Sequence, residues 1–106
     1  MKVHFKNREL ETLYRMGKSR KGGMPQAHVK RFSLRKQVLE AAITIFDLWK
    51  SPSLNFEGIK GFNNKFSLRV NDQYRLEIEI EFEDEERTRG DINIMHISDH
   101  YGGRKW

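Results

Sequence analysis

Alternating apolar and polar positions in the second half of the chain predict a β-hairpin. Phe66, Leu68 and Val70 alternate with polar residues, and the alternation resumes at Tyr74 and continues to residue 82. Both apolar sets share a face only if Val70 pairs with Tyr74, and the same register pairs Leu68 with Leu76 and Phe66 with Ile78. The hairpin is therefore predicted over residues 65–83, with a three-residue loop at 71–73.

Helical spacing predicts a single long helix over residues 26–49. Apolar residues recur there at intervals of three and four, which places them on one stripe and assigns them to the core. The members of this stripe are Val29, Phe32, Leu39, Ile43 and Phe46, and it is widened by Val38, Ala42 and Ile45. Ser51-Pro52-Ser53 ends the helix.

Shorter patterns predict a strand at 3–5, a helix at 8–16, a loop at 17–25, a last strand at 91–98 and a tail at 104–106. Two helices followed by antiparallel strands indicate an α+β sandwich. Both N-terminal helices should pack on one face of a twisted, mostly antiparallel four-stranded sheet. At 106 residues, the chain is expected to be a single domain over residues 1–106.

The hairpin register sets Arg69 directly opposite Arg75 on the face away from the core. Like charges in opposite positions destabilise a sheet, so an anion such as phosphate is a natural compensating ligand. The alternative is a solvated face on which Glu77 softens the repulsion.

Charge is distributed unevenly along the chain. Residues 1–76 contain 16 Lys and Arg against six Asp and Glu, a net charge of +10, whereas residues 77–106 have a net charge of −5. Segregated charge on a small basic protein suggests a nucleic-acid surface, although ordinary solubility charge gives similar counts. Arg31, Arg35 and Lys36 on the long helix could contact a nucleic-acid backbone or simply face solvent.

Composition excludes several classes of protein. The chain has no cysteine, which excludes a disulfide scaffold, thiol catalysis and a cysteine-ligated metal. The four histidines lack ligand spacing, so neither a metal site nor a cofactor is predicted. No apolar run approaches membrane-spanning length and the N-terminus lacks a signal-peptide pattern, so we expect a cytoplasmic protein without a membrane partner.

Asp99, His100 and Tyr101 bring a carboxylate, an imidazole and a phenol together at the end of the last strand. Alternation counted from Ile92 and Ile94 places Asp99 and Tyr101 on the face of Arg75, whereas any irregularity in the strand favours His100 instead. All three groups can carry a proton. An ordinary strand end before a glycine turn is the alternative.

Three segments resemble HigB, a toxin of the RelE/ParE toxin–antitoxin superfamily. They are residues 54–61 with the Lys60-Gly61 pair, residues 66–76 of the hairpin, and residues 96–101. The resemblance implies a RelE-like fold and a ribosome-dependent endoribonuclease that cuts translated mRNA without a metal. It also implies a HigA-like helix-turn-helix antitoxin, a ribosomal A site and mRNA as partners, with operator DNA bound indirectly through the antitoxin.

The resemblance also implies roles for individual residues. Lys60, Arg75, Asp99, His100 and Tyr101 match the active-site positions. A further basic position matches Arg69, and we expect Lys65 to bind RNA phosphate with it. Glu57 stands where some HigB proteins have a histidine, and the C-terminal order Asp-His-Tyr departs from the family's Asp-Tyr-His. We expect His100 to transfer the proton, with Tyr101 as the competing group.

Two other functions are compatible with the same fold. ParE proteins poison DNA gyrase without cutting RNA, and a degenerate family member would only bind its antitoxin. Lys60, Arg75 and the terminal His-Tyr pair together favour the ribonuclease.

Overall fold

A computed structural model describes residues 1–19, 23–99 and 106 of the chain. The fold is an α+β sandwich with a five-stranded sheet in the order β1-β5-β4-β3-β2. The strands are β1 (Val3–Phe5), β2 (Glu57–Gly58), β3 (Lys65–Arg69), β4 (Tyr74–Phe82) and β5 (Gly90–Asp99). The helices are α1 (Arg8–Met16), α2 (Gln26–Ala41) and α3 (Ile45–Trp49), with a 3₁₀ turn at Pro52–Leu54.

The core lies between the helices and one face of the sheet. Leu10 and Leu13 of α1 and Phe32 and Leu39 of α2 are buried with the inward residues of β3, β4 and β5. Strand β1 is parallel to β5, and every other neighbouring pair is antiparallel. No helix in the described part of the chain is long and apolar enough to cross a membrane.

The predicted hairpin register is confirmed. Leu68 pairs with Leu76, and the backbone N–H of Val70 donates to Tyr74 O at 2.9 Å, so the loop is 71–73. Asn71 Oδ1 accepts the backbone N–H groups of Gln73 and Tyr74, which stabilises the turn. Arg69 and Arg75 are directly opposite each other.

The single long helix predicted over 26–49 is wrong, because α2 ends at Ala41 and α3 begins at Ile45. Asp47 Oδ2 accepts the backbone N–H groups of Ile43 and Thr44 at 2.8 and 3.1 Å, which starts a new helix at Thr44. These hydrogen bonds lower the pKa of Asp47. A local capping interaction therefore competes successfully with continued helical spacing.

The break changes which apolar residues belong to the core. Ile45 and Leu48 are buried, whereas Ile43 and Phe46, predicted as core, are 72% and 58% exposed. Restarting the helix rotates the buried face, so the spacing counted across residues 42–44 no longer follows one stripe.

The predicted four-stranded sheet also needs correction, because a fifth strand, β2, pairs with β3. Its two residues, Glu57 and Gly58, are too few to produce an alternating pattern. Their pairing with Ser67 and Phe66 nevertheless places the chain around Glu57 beside the hairpin.

Strand β5 contains a β-bulge at Met95. Glu77 pairs with His96 and Ile78 pairs with Ile94, so Met95 has no partner on β4. The Met95 carbonyl instead accepts Asn7 Nδ2 at 3.1 Å, while Asn7 Oδ1 accepts the Leu10 N–H and caps α1. A single asparagine thus stabilises both the helix start and the bulge.

The last residue, Trp106, is also fixed against β5. Its backbone N–H and C=O exchange hydrogen bonds with Ile97 at 2.9 and 3.0 Å, and its ring packs edge-on against Tyr74 at 5.2 Å. The predicted tail at 104–106 therefore ends in a paired, buried residue, while residues 104–105 lie outside the described part.

Candidate functional site

Arg75 lies on the sheet face opposite the helices, and hydrogen bonds from Nε and Nη2 hold one edge of its guanidinium. Its Nε donates to Ser67 Oγ at 3.0 Å, and Nη2 donates to Asn55 O at 2.7 Å and Ser67 O at 3.1 Å. Glu57 Oε2 lies 3.7 Å from the same Nη2. Nη1 has no hydrogen-bond partner within residues 1–19, 23–99 and 106, so this oriented guanidinium retains a donor group for a ligand.

Arg69, opposite Arg75, has its own carboxylate. Its Nη2 is hydrogen-bonded and ion-paired to Asp72 in the hairpin loop. The repulsion predicted from the register is therefore relieved within the protein, by Asp72 beside Arg69 and by Glu57 beside Arg75. Binding of phosphate by this pair stays a prediction.

Two arginines of α2 extend the positive charge around the hairpin end. Arg35 Nε donates to the Arg69 carbonyl at 2.7 Å, beyond the two β3 residues that pair with β2. Partial burial and the nearby charges of Arg31 and Arg69 lower the pKa of Arg35. Arg31, Arg35 and Arg69 therefore form one group, which we call the arginine cluster.

The other predicted lysines lie apart from this cluster. Lys36 packs over Tyr14 and Phe5, with its Nζ 4.5 Å from the Tyr14 ring centre, and pairs with Glu40 at 3.0 Å. Lys36 therefore faces α1 and β1 at the other edge of the sheet.

Lys60 and Lys65 lie at the β2–β3 end of the sheet. Lys60 is exposed in the turn between these strands, where Gly61 has a positive φ of 90°. Lys65 Nζ is 4.2 Å from the centre of the Phe62 ring, and its backbone pairs with Glu79. Both lysines therefore lie near the edge of the sheet that β2 forms, on the β3 side of Arg75.

The bulge at Met95 reverses the facing of the following residues. Ser98, and not Asp99, pairs with Arg75, while Asp99 pairs with Tyr74 on the other face. The expectation that Asp99 shares the face of Arg75 is therefore wrong. Asp99 Oδ2 accepts Gln73 Nε2 at 3.2 Å, which places its carboxylate beside the hairpin loop. His100 and Tyr101 lie outside the described residues.

Sequence reasoning assigned no role to several residues on this face. Ser67, Asn55 and Glu57 hold Arg75, and exposed His96 pairs with Glu77 two residues from Ser98. A signal exists only for Glu57, as a departure from the resemblance at that position. The contact of Asn55 depends on the segment that leads into the two-residue β2, and the facing of His96 depends on the bulge, neither of which leaves a periodic pattern.

A protein-family model for the RelE-like toxin of the type II toxin–antitoxin system HigB matches residues 3–94. The chain belongs to the HigB-like toxins. A type II toxin acts together with an antitoxin, so this HigB-like toxin has an antitoxin as its partner. The match includes Lys60, Arg69 and Arg75 and ends before Asp99, His100 and Tyr101. Among curated proteins, no match to the chain was found.

Proposed function

We propose that this HigB-like toxin is a ribosome-dependent endoribonuclease that cuts translated mRNA in the ribosomal A site. The observation that carries the proposal is Arg75, whose guanidinium is oriented by Ser67 and Asn55 on a sheet face bordered by the arginine cluster, with no partner for Nη1 among the described residues. An oriented cation with a remaining donor is suited to the negative charge of a reacting phosphate.

The reaction proposed is attack by the messenger's own 2′-hydroxyl on the adjacent phosphorus. The O–P bond to the 5′-oxygen breaks, leaving a 2′,3′-cyclic phosphate and a 5′-hydroxyl. A base accepts the 2′-hydroxyl proton, cations stabilise the pentavalent phosphorus, and an acid protonates the leaving oxygen. The nucleophile belongs to the substrate, so the proposal assigns no metal and no cofactor.

The named residues are assigned to these tasks. Arg75 stabilises charge on the transferring phosphate, and Lys60, exposed at the β2–β3 turn, adds a second cation. Lys65, Arg69, Arg31 and Arg35 hold the RNA backbone. Lys36 is the weakest member of the predicted set, because Tyr14, Phe5 and Glu40 already surround its ammonium. Asp99 is kept as a member of the proposed active site, and its carboxylate accepts a hydrogen bond from Gln73 of the hairpin loop.

His100 is proposed as the proton carrier, with Tyr101 as the competitor. An unperturbed imidazole titrates at about 6.5 and a phenol at about 10, so histidine exchanges protons more readily near neutral pH. The alternation that favours Tyr101 runs through Met95, where the bulge interrupts it. Alternation counted from Ile92 and Ile94 therefore no longer favours Tyr101 over His100.

The proposed partners are a HigA-like helix-turn-helix antitoxin, the ribosome with its mRNA, and operator DNA reached through the antitoxin. A cytoplasmic location accompanies this proposal, since ribosomes and messenger are the targets.

Translation with purified ribosomes tests the proposal. The expected result is messenger cut within translated codons, with a 5′-hydroxyl on the downstream fragment, while DNA gyrase supercoiling continues unaffected. Intact messenger together with gyrase inhibition would instead establish a ParE-like activity. If neither target is affected, the chain is a degenerate member that only binds its antitoxin.

A further inference from the structure

Three large apolar side chains are exposed on one short segment. Ile43, Phe46 and Trp49 are 72%, 58% and 48% exposed, and we call them the α3 stripe. Ile45 and Leu48 already provide the buried face of α3, so core packing does not require Ile43 and Phe46. Clustered exposed apolar side chains on a small protein mark interaction surfaces.

An acidic loop borders the α3 stripe. The backbone N–H of Ile45 donates to Thr88 O at 2.7 Å, which ties the loop at 83–89 to the start of α3. Asp84 accepts the Thr88 N–H at 3.0 Å and the Arg89 N–H at 3.3 Å, so the loop is internally held. Glu83, Glu85 and Glu86 are exposed. The loop also contains Arg87 and Arg89, and Arg89 pairs with Glu83 at 3.6 Å, so four carboxylates against two arginines leave a net charge of −2 in a chain of net charge +5.

The α3 stripe lies on the helix side of the sheet, away from Arg75. Trp49 packs edge-on against Phe56 at 4.6 Å and near Phe66 at 6.3 Å, and both phenylalanines belong to the core. The guanidinium of Arg75 is on the opposite face. A ligand on the stripe therefore contacts a surface distinct from the proposed catalytic face.

We propose that the α3 stripe and its acidic border bind a basic amphipathic helix of the antitoxin. A type II toxin has a protein partner, and the exposed phenylalanine and tryptophan, three residues apart, offer anchors for the apolar side of a helix. The carboxylates at 83–86 select lysine and arginine on the rim of that helix. Ribosomal RNA does not suit this surface, because the acidic border repels phosphate.

The test measures binding of the toxin to the antitoxin encoded in the same operon, by calorimetry with Arg75→Ala toxin, which is expected to cleave messenger slowly, as the background. Phe46→Ser combined with Ile43→Ser should weaken binding at least about thirtyfold, as expected for anchor residues. The matched control is Leu34→Ser, which removes an apolar side chain 45% exposed on α2 and should leave affinity unchanged. Urea unfolding verifies that each variant is folded.

A second variant tests the charge argument without altering the stripe. Glu85→Lys with Glu86→Lys should weaken binding about tenfold or more, with the largest effect at low salt, because opposite charges no longer face each other. Unchanged antitoxin affinity in both variants would overturn the proposal. So would weakened ribosome binding with intact antitoxin binding, or a toxin dimer that the stripe variant dissociates.

This inference is independent of ribonuclease activity, since the assay measures binding alone. If the toxin does not cut messenger, the proposed antitoxin surface is unaffected. If the variants bind the antitoxin with unchanged affinity, the proposed messenger cleavage is unaffected.

Discussion

At the scale of single residues, Arg75 combines a structural and a proposed catalytic role. Its Nε and Nη2 connect Ser67 and Asn55, while Nη1, which has no partner in the described part of the chain, is the group proposed to bind phosphate. Its side chain is only 17% exposed, so its position is fixed before any RNA binds. A group oriented in advance loses little entropy when the transition state forms.

Arg75→Ala should raise the activation free energy for single-turnover cleavage of ribosome-bound messenger by about 2.7–4 kcal/mol, by analogy with loss of one oxyanion donor. Ribosome affinity should change much less, because other cations hold the RNA. Arg15→Ala is the matched control, since it removes one exposed arginine from α1. Normal cleavage by bound Arg75→Ala would remove Arg75 from the catalytic set.

Ser67→Ala separates positioning from charge at the same site. It removes the Oγ that accepts Arg75 Nε and keeps the guanidinium itself. Cleavage should fall less than in Arg75→Ala, with the loss concentrated in the chemical step and little change in ribosome binding.

The proton carrier can be decided by comparing three variants. His100→Ala should slow single-turnover cleavage by about a hundredfold or more, since general acid–base groups contribute on that order. Tyr101→Phe keeps the ring, loses only the hydroxyl and should do less damage. His96→Ala controls for loss of an imidazole on the face of Arg75. A larger loss for Tyr101→Phe than for His100→Ala would reverse the assignment.

At the scale of elements, Asn7 links two features that sequence patterns do not connect. Its Oδ1 caps α1 through the Leu10 N–H, and its Nδ2 binds the carbonyl of the bulge at Met95. The start of a helix and the irregularity of a distant strand are therefore stabilised together.

Asn7→Ala should destabilise the protein by about 0.5–2 kcal/mol through the lost cap, with a further loss at the bulge carbonyl. Asn7→Asp keeps the cap acceptor and removes only the donor to Met95, so it should cost less than Asn7→Ala. Urea unfolding monitored by circular dichroism measures both. Equal stability of wild type and Asn7→Ala would show that neither hydrogen bond contributes.

Elements with several periodic residues were predictable, whereas short irregular ones were not. The alternation from Phe66 to Phe82 determines the hairpin register, because a one-residue slip would expose every apolar side chain. The break after Ala41 depends on Asp47 capping Thr44 and Ile43, which competes with a good helical pattern. At the candidate site, Arg69 opposite Arg75 was predictable, but the residues that hold Arg75 were not.

At the scale of the whole molecule, charge and apolar surface are separated. The arginine cluster and Arg75 lie around the hairpin loop, whereas the α3 stripe and the acidic loop lie beside α3. Such a distribution lets a polyanion and a protein partner meet different parts of a small domain.

Affinity for ribosomes should fall steeply with salt, and the arginine cluster should account for part of that slope. Arg31→Gln with Arg35→Gln should lower the magnitude of the slope of log affinity against log salt by about 0.7–0.9 for each phosphate that these arginines neutralise. Arg8→Gln with Arg15→Gln on α1 removes equal charge as a control. The same slope in wild type and in the cluster variant would mean that the cluster faces solvent in the complex. Lys36 is kept, because its packing on Tyr14 would confound the result.

The bulge at Met95 determines which side chains at the end of β5 lie on the face of Arg75. Deletion of Met95 would remove the bulge and leave the residues from His96 to Asp99 opposite the same β4 residues, whereas regular pairing of the undeleted strand would exchange their faces. Loss of the bulge without a deletion would therefore act like several simultaneous substitutions, exchanging the Ser98 and Asp99 sides of the strand. When relatives are compared at this end of the chain, the number of residues between Ile94 and Ile97 matters as much as the identity of the residues that follow.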